Sequence, residues 1–316
     1  MKETFVNMLK AGQSVDDIFV AMDKQLAQKK NGEPYLTLTL VDRTGDMKAV
    51  LWDNVEAISN RFAAGDYVRV KGNVSQYRDD LQVVVQDLEP ASADHVEAKD
   101  FLPATERDVE QMFSQLTQAA ATIQNTHLAA LLKAFFEDTT FVALFKAAPA
   151  AKKMHHAYLG GLLEHTLSIT RLSDAVATHY KGIDRDLLLA GAILHDIGKV
   201  HELCYDTHID YSDSGRLLNH IVIGIEMLDE KIAVLPDFPQ DLALLLKHLI
   251  VSHHGTREFG SPEPPKTLEA IILNYIDDLD AKVTGVRAFM EAQDDQTAWT
   301  SYHRLLERFF YKGKNG

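Results

Sequence analysis

The dominant apolar periodicity differs between the two parts of this chain, and that difference restricts it to two kinds of structure in series. Between about residues 18 and 85, apolar residues alternate with polar ones in five short runs, with one helical stretch among them. Beyond about residue 105 they recur at helical spacing. Ile18 to about Leu26 alternates roughly, as on a half-buried strand. Asn31-Gly32 is a turn signal. Tyr35 to Val41 alternates with period two, Asp42-Arg43-Thr44-Gly45 turns again, and Met47 to Trp52 reads as a third strand. Residues 54–63 read as a helix, and Tyr67 to Gly72 and Leu81 to Val85 complete five strands.

One helix between the third and fourth of five strands is the pattern of an OB barrel. Residues 1–90, including an amphipathic lead-in over residues 1–13, are therefore expected to form a nucleic-acid-binding domain. Such barrels hold single strands on aromatic platforms beside a modest basic groove. Tyr35, Trp52, Arg69, Lys71, Tyr77 and Arg78 are the candidates. The competing reading puts Tyr35 and Trp52 in the core or rim and leaves the basic residues as plain surface. Residues 91–104, polar and punctuated by proline, read as a linker. Residues 105–316 read as all-helical, opening with a cap-like Thr105 and Asp108. Helices are expected at about 106–123, 126–137, 139–147, 160–180, 185–198, 219–234, 239–253, 267–291 and 297–311.

The net charge of −14 argues against a protein that simply coats nucleic acid. Either the partner is a small molecule, or nucleic acid is held locally by metals and a few basic side chains. No run of about 18 apolar residues occurs, so no membrane span is expected. Met1-Lys2-Glu3-Thr4-Phe5 leads into no long apolar segment, which argues against a signal peptide. The single cysteine, Cys204, cannot form an internal disulfide and fits a cytoplasmic home. It reads as a packed side chain rather than a nucleophile.

Eleven of the fourteen histidines lie between His155 and His254. At the centre of this span, Ile193-Leu194-His195-Asp196-Ile197-Gly198-Lys199 places an adjacent His and Asp at the end of an apolar run. Neighbouring helical residues point about 100° apart, so both can serve one site only at a helix surface. A neutral imidazole beside a carboxylate suits a borderline divalent metal. His165, His195, Asp196, His220, His253, His254 and Asp277 all fall on or at the ends of expected helices, which a bundle can bring together. Asp196 has two oxygens and can bridge two ions. Two ions about 3.5–4 Å apart can activate water and stabilise a leaving oxygen in phosphoester hydrolysis. The donor mixture suits Mn, Fe or Zn better than Mg, with Co a further option.

The series His165, His195-Asp196, Asp277 resembles the HD-domain metal-dependent phosphohydrolases. That resemblance implies that these four are metal ligands, with Asp278 and Asp280 as rivals for Asp277. Similarity to HD proteins with enlarged sites implies that His220, His253 and His254 hold a second ion or contact phosphate; the alternative is exposed helix ends, where His suits the dipole. The order of an OB barrel, then His155-His156-Ala157-Tyr158-Leu159-Gly160-Gly161-Leu162-Leu163-Glu164-His165-Thr166, then Leu194-His195-Asp196-Ile197-Gly198-Lys199, is similar to the YhaM-type 3′-to-5′ exoribonucleases over roughly residues 15–300. The resemblance implies a metal-dependent exonuclease releasing 5′-mononucleotides from single-stranded RNA, with single-stranded DNA as a further substrate. It uses one or two divalent ions, Mn²⁺ first, and a homo-oligomer is a further possibility. Asp196 is then catalytic. Lys199 either neutralises a phosphate oxygen or is solvated at a helix end. His155 and His156 contact substrate or order the His165 helix, while His179, His208, His248 and His303 read as surface. Two other functions are open: a phosphohydrolase of nucleotides or cyclic dinucleotides, and a non-catalytic single-strand-binding module. Gly255-Thr256-Arg257 after His253-His254 departs from the Gly-Tyr-Pro signature of the cyclic-dinucleotide enzymes.

Overall fold

The computed structural model describes residues 2–78, 80–92, 96–152, 155–293 and 297–313, the side chain of Phe259 excepted; residues 93–95 of the expected linker lie outside them. The described residues form two compact units, Met1–Ala104 with Tyr205–Ile209, and Thr105–Cys204 with Asp210–Gly316.

The first unit is a closed barrel of β1 (Ser14–Gln28), β2 (Pro34–Asp42), β3 (Gly45–Leu51), β4 (Tyr67–Tyr77) and β5 (Asp80–Pro90), with α1 (Val55–Ser59) between β3 and β4. The strand order is β1-β2-β3-β5-β4, with β3 parallel to β5 and every other pair antiparallel. Period-two alternation sends Leu36, Leu38 and Leu40 of β2 and Val68, Val70 and Val74 of β4 into one core. Opposite Lys71 and Gly72 the register shifts by one residue, leaving Gln86 of β5 as a bulge that lets β5 bend. A Cβ on Gly72 would lie 2.4 Å from the Val84 carbonyl oxygen, so only glycine permits that approach. The strands outrun their expected ends, because β1 continues past a bulge between Met22 and Gln25 and the β4–β5 ladder continues to Val68–Pro90.

One buried polar knot ties the N-terminal segment to the barrel. The Lys2 ammonium donates to Ile18 O at 2.5 Å, lies 3.5 Å from the Phe19 ring centroid and 3.4 Å from Asp42 Oδ2. Asp42 also accepts from the backbone N–H groups of Val6 (2.8 Å) and Thr44 (2.9 Å). Burial pulls the Lys2 pKa down, and Asp42 and Asp17 oppose the shift. Asp42→Ala would strand this ammonium and two donors. The expected cost is about 3 kcal/mol, read from urea unfolding at Trp52 fluorescence in a Trp299→Phe background. A loss under about 1 kcal/mol would reject this account of the knot.

The second unit holds α2 (Val109–Ala120), α3 (Thr126–Phe136), α4 (Thr139–Ala147), α5 (Gly161–His179), α6 (Arg185–Leu194), α7 (Lys199–Glu202), α8 (Asp213–Ala233), α9 (Gln240–Ser252) and α10 (Leu268–Glu291). Side chains of Asp108, Asn125, Asp138, Asp184, Ser212 and Thr267 cap the N-termini of α2, α3, α4, α6, α8 and α10, which fixes where these helices start. Every residue of α6 from Leu187 to Leu194 is buried. A helix apolar all round belongs inside a bundle, and α6 packs against α5, α9 and α10. Its C-terminus therefore delivers His195 and Asp196 to the bundle centre.

Three expectations are corrected. Helix 219–234 begins six residues early, at Asp213, with non-helical Asn219 (φ 68°, ψ 155°) inside it. A short hairpin, β6 (Leu203–Cys204) with β7 (Asp210–Tyr211), precedes it. Residues 297–311 form no helix; isolated bridges join Trp299 to Tyr311 and His303 to Arg308. Glu307 at φ 51° turns the chain back on itself, and pairing between the two returning segments replaces local helical periodicity. Among the described residues no helix is long and apolar enough to cross a membrane.

Candidate metal centre

His195 is the C-cap of α6 and His253 the C-cap of α9. The last turn of a helix leaves carbonyls without partners. His195 Nδ1–H donates to Ala192 O at 2.9 Å, and His253 Nδ1–H to Ile250 O at 2.6 Å. A carbonyl only accepts, so the proton is on Nδ1 and the Nε2 lone pair of each ring faces inward. His165 Nδ1 lies 2.9 Å from Asp280 Oδ2, and His220 Nδ1 lies 2.9 Å from Glu202 Oε1. All four histidines are thus anchored at Nδ1 and present Nε2.

Those four nitrogens converge on Asp196. The Nε2 atoms of His165 and His195 lie 3.5 and 3.4 Å from Asp196 Oδ2, and Asp277 Oδ1 lies 3.2 Å from His165 Nε2. The Nε2 atoms of His220 and His253 each lie 3.5 Å from the other oxygen, Oδ1. His254 joins this second group. Asp196 Oδ1, His220 Nε2 and His253 Nε2 are buried without a hydrogen-bond partner. Three orphaned, inward-facing acceptors on shared ground are costly unless a cation satisfies them, so the residues present fit a divalent ion.

Backbone details build the second group. Asn219 breaks α8, and its Oδ1 accepts from Ile221 N–H at 2.9 Å. The break turns the His220 N–H onto Glu202 Oε1 at 3.0 Å. A Cβ on Gly198 would sit 2.0 Å from His220 O, so the His195–Lys199 turn and His220 approach at backbone contact.

Electrostatics follow the same division. Burial raises the Asp196 pKa, but Lys199 and His195 outweigh it and hold the carboxyl well below its usual range. Burial also lowers His165, yet Asp277 and Asp280 reverse this and raise it to about 9. Burial and then the neighbouring His253 imidazole push His254 down to about 3; burial lowers His253 as well, despite Asp196. Both therefore sit in the neutral form that binds metal. Lys199 is no solvated helix-end residue: its ammonium is buried, 2.6 Å from Asp196 Oδ2.

The remaining candidates separate clearly. Asp278 faces solvent and pairs with Lys282 at 2.7 Å, while Asp280 sits on the Nδ1 side of His165, leaving Asp277 on the inner side. His156 is buried between Tyr158 Oη (2.8 Å) and Asp280 Oδ2 (3.1 Å), an ordering position rather than a substrate-facing one. The His155 ring lies 5.7 Å from that of His165, with a buried, unpartnered Nδ1. His179 and His208 are exposed, as expected. His248 and His303 are instead half-buried, His248 accepting from Lys266 N–H and His303 packing between Phe289 and Phe310. Cys204 Sγ contacts Asp210 O at 3.4 Å. On the barrel, Tyr35 and Trp52 stack at 4.9 Å, and Arg78 lies over exposed Tyr77. Arg69 is tied to Asp16 at 2.7 Å, and exposed Lys71 sits in register with Asp16 and Asp87. Glu202 and Asp280, the carboxylates at the Nδ1 atoms of His220 and His165, belong to no sequence motif, and only tertiary placement reveals these contacts.

The family model for the HD domain matches residues 162–282, that for an OB-fold nucleic acid binding domain matches 21–91, and one described as a putative helicase matches 94–181. A relative from Bacillus velezensis named 3′-5′ exoribonuclease YhaM is 37% identical over 302 residues, 95% of each chain. The chain belongs to the YhaM exoribonuclease family. A second YhaM, from Bacillus subtilis, is 36% identical over 95% of each chain, and one from Listeria monocytogenes is 36% identical over 86% of each. The YhaM match runs through both units, so barrel and histidine centre belong to one family architecture.

Proposed function

We propose that this chain is a metal-dependent 3′-to-5′ exoribonuclease that hydrolyses single-stranded RNA to 5′-mononucleotides. In this reading residues 1–90 hold the strand and residues 105–316 cut it. The observation that carries the reading is Asp196, with two orphaned histidine nitrogens at one oxygen and His165 and His195 at the other. His165, His195 and Asp277 would hold one divalent ion, His220, His253 and His254 a second, and Asp196 both. Mn²⁺ suits these donors first, with Fe, Zn, Co or Mg as alternatives. Bound ions supply Lewis acidity toward the phosphate and activation of water. Lys199 adds a fixed positive charge for a phosphate oxygen beside Asp196. His155, neutral because burial lowers it to about 4, offers a hydrogen bond to the terminal nucleotide.

On the barrel, the Tyr35–Trp52 stack and the Tyr77–Arg78 pair support base stacking. Arg69 and Lys71 are compensated by Asp16, Asp87 and Glu89, so they contribute less than the aromatic pairs. Trp52→Ala is expected to weaken RNA binding by about 1–3 kcal/mol, roughly 5- to 150-fold. Fluorescence anisotropy at fixed salt checks this, and unchanged affinity would remove Trp52 from the interface.

Leu268, Ile271, Tyr275, Leu279 and Val283 form an exposed apolar stripe at helical spacing on α10, which supports a homo-oligomer. Sedimentation velocity tests that assembly. The free cysteine supports a cytoplasmic location.

The deciding experiment uses 5′-labelled single-stranded RNA and DNA with Mn²⁺ or with chelator. The expected result is a metal-dependent ladder shortening from the 3′ end, with the DNA lanes ranking the two sugars. Intact RNA alongside hydrolysis of nucleotides or cyclic dinucleotides would overturn the reading.

A further inference from the structure

We propose that Asp280 and Glu202 are positioning residues, each orienting one histidine of a different ion pocket, so that the two ions can be weakened one at a time. This rests on the two-ion reading above. Each pocket has one histidine fixed by a main-chain carbonyl, His195 by Ala192 O and His253 by Ile250 O. Each has a second fixed by a carboxylate, His165 by Asp280 and His220 by Glu202. Both carboxylates are buried, and both contact Nδ1, the nitrogen on the far side of the ring from the convergent Nε2 atoms.

A carboxylate on Nδ1–H fixes ring orientation and makes Nε2 a stronger donor. Asp280 is itself immobilised, since Oδ2 also receives His156 Nε2 at 3.1 Å and Oδ1 receives Ser168 Oγ at 2.5 Å. Glu202 is held by accepting the His220 backbone N–H as well as its ring. The His156, His165 and Asp280 donors lie close enough to suggest a third ion. Their atoms are already spent: both nitrogens of His156 and both oxygens of Asp280 have hydrogen-bond partners. This group supports an ion pocket and does not form one.

The test is equilibrium dialysis of the full chain against Mn²⁺ with metal counting, on Asp280→Asn and Glu202→Gln. Each variant is expected to keep one ion at parental affinity and to bind the other about 10- to 100-fold more weakly. Pairing with ligand variants assigns the pockets. Asp280→Asn added to His165→Ala should lose nothing further, whereas Glu202→Gln added to His165→Ala should weaken the remaining ion. Equal weakening of both ions in each variant, or of neither, overturns the proposal. One ion in the unsubstituted chain overturns the two-ion reading and the proposal with it. Should Asp280→Asn fail to fold by circular dichroism, His156→Gln removes one hydrogen bond to Asp280 and must weaken the same single ion; if it does not, the Asp280 assignment falls.

Discussion

Asp196→Asn is expected to abolish both metal loading and hydrolysis, and also to destabilise the fold. The rate loss should be roughly 10³-fold or more, since removing one well-placed electrostatic group costs about 10²–10³ and Asp196 faces both histidine groups. The stability loss has a separate cause. Lys199 is buried with its ammonium 2.6 Å from Asp196 Oδ2, and its pKa is raised because Asp196 and Asp277 overcome the effect of burial. Losing the charge of one partner of a buried pair costs about 3–5 kcal/mol, because the other charge stays uncompensated. His165, held above neutrality by Asp277 and Asp280 against burial, adds positive charge to the same space. The sign is therefore unambiguous: fewer carboxylates here means lower stability. Urea unfolding in chelator measures this term without metal, and RNA degradation in Mn²⁺ measures the other. A second change, Lys199→Met in the Asp196→Asn chain, should restore most of the stability and none of the activity. If Asp196→Asn unfolds with its parent in chelator, the ion-pair account fails. If it keeps a tenth of the parental rate, Asp196 is not the shared ligand.

The sequence nominates the inner side of this centre and leaves its outer side unmarked, for a physical reason. His195, Asp196, His220, His253 and Asp277 carry metal-binding chemistry in their own side chains, and each lies at a helix end or on a periodic face. Residue type and helical phase are enough to nominate them. Asp280 and Glu202 act through another residue's far nitrogen, and that relation exists only after α5, α7, α8 and α10 have packed. Asp280 was visible only as a rival to Asp277, because residues three apart on α10 share a face. For His156 the sequence leaves both a substrate contact and a support of the His165 helix open, since its buried place between Tyr158 and Asp280 is a tertiary fact. The barrel is legible from period two, yet the Lys2–Asp42 knot that ties the N-terminal segment to it is not, because it joins residues with no shared periodicity. Residues 297–311 show the opposite failure. Their spacing fits a helix, but one left-handed residue, Glu307, and two antiparallel bridges within the segment decide otherwise.

Gly198 illustrates a constraint that residue chemistry alone does not reveal. Its backbone is ordinary right-handed helix (φ −62°, ψ −20°), so alanine there carries no conformational penalty. What forbids a side chain is space. A Cβ would lie 2.0 Å from His220 O and 2.7 Å from Gly224 N, both backbone atoms that no rotamer change can move. Gly198→Ala must therefore push α8 away from the turn that carries His195, Asp196 and Lys199. Overpacking a flexible neighbour costs about 1–3 kcal/mol; against rigid backbone the expected loss is at the top of that range or above it. The displacement falls unevenly. His220 rides on α8, while His165 and His195 are fixed by α5 and α6. The variant should keep the Mn²⁺ site made by His165, His195 and Asp277 and lose the one that needs His220, with hydrolysis falling accordingly. Gly224→Ala is the control: its nearest contact would be 3.5 Å, so both ions and most stability should survive. Thermal unfolding with and without Mn²⁺, together with metal counting, decides the matter. Equal behaviour of the two glycine variants would mean that close approach at Gly198 does not set the position of His220.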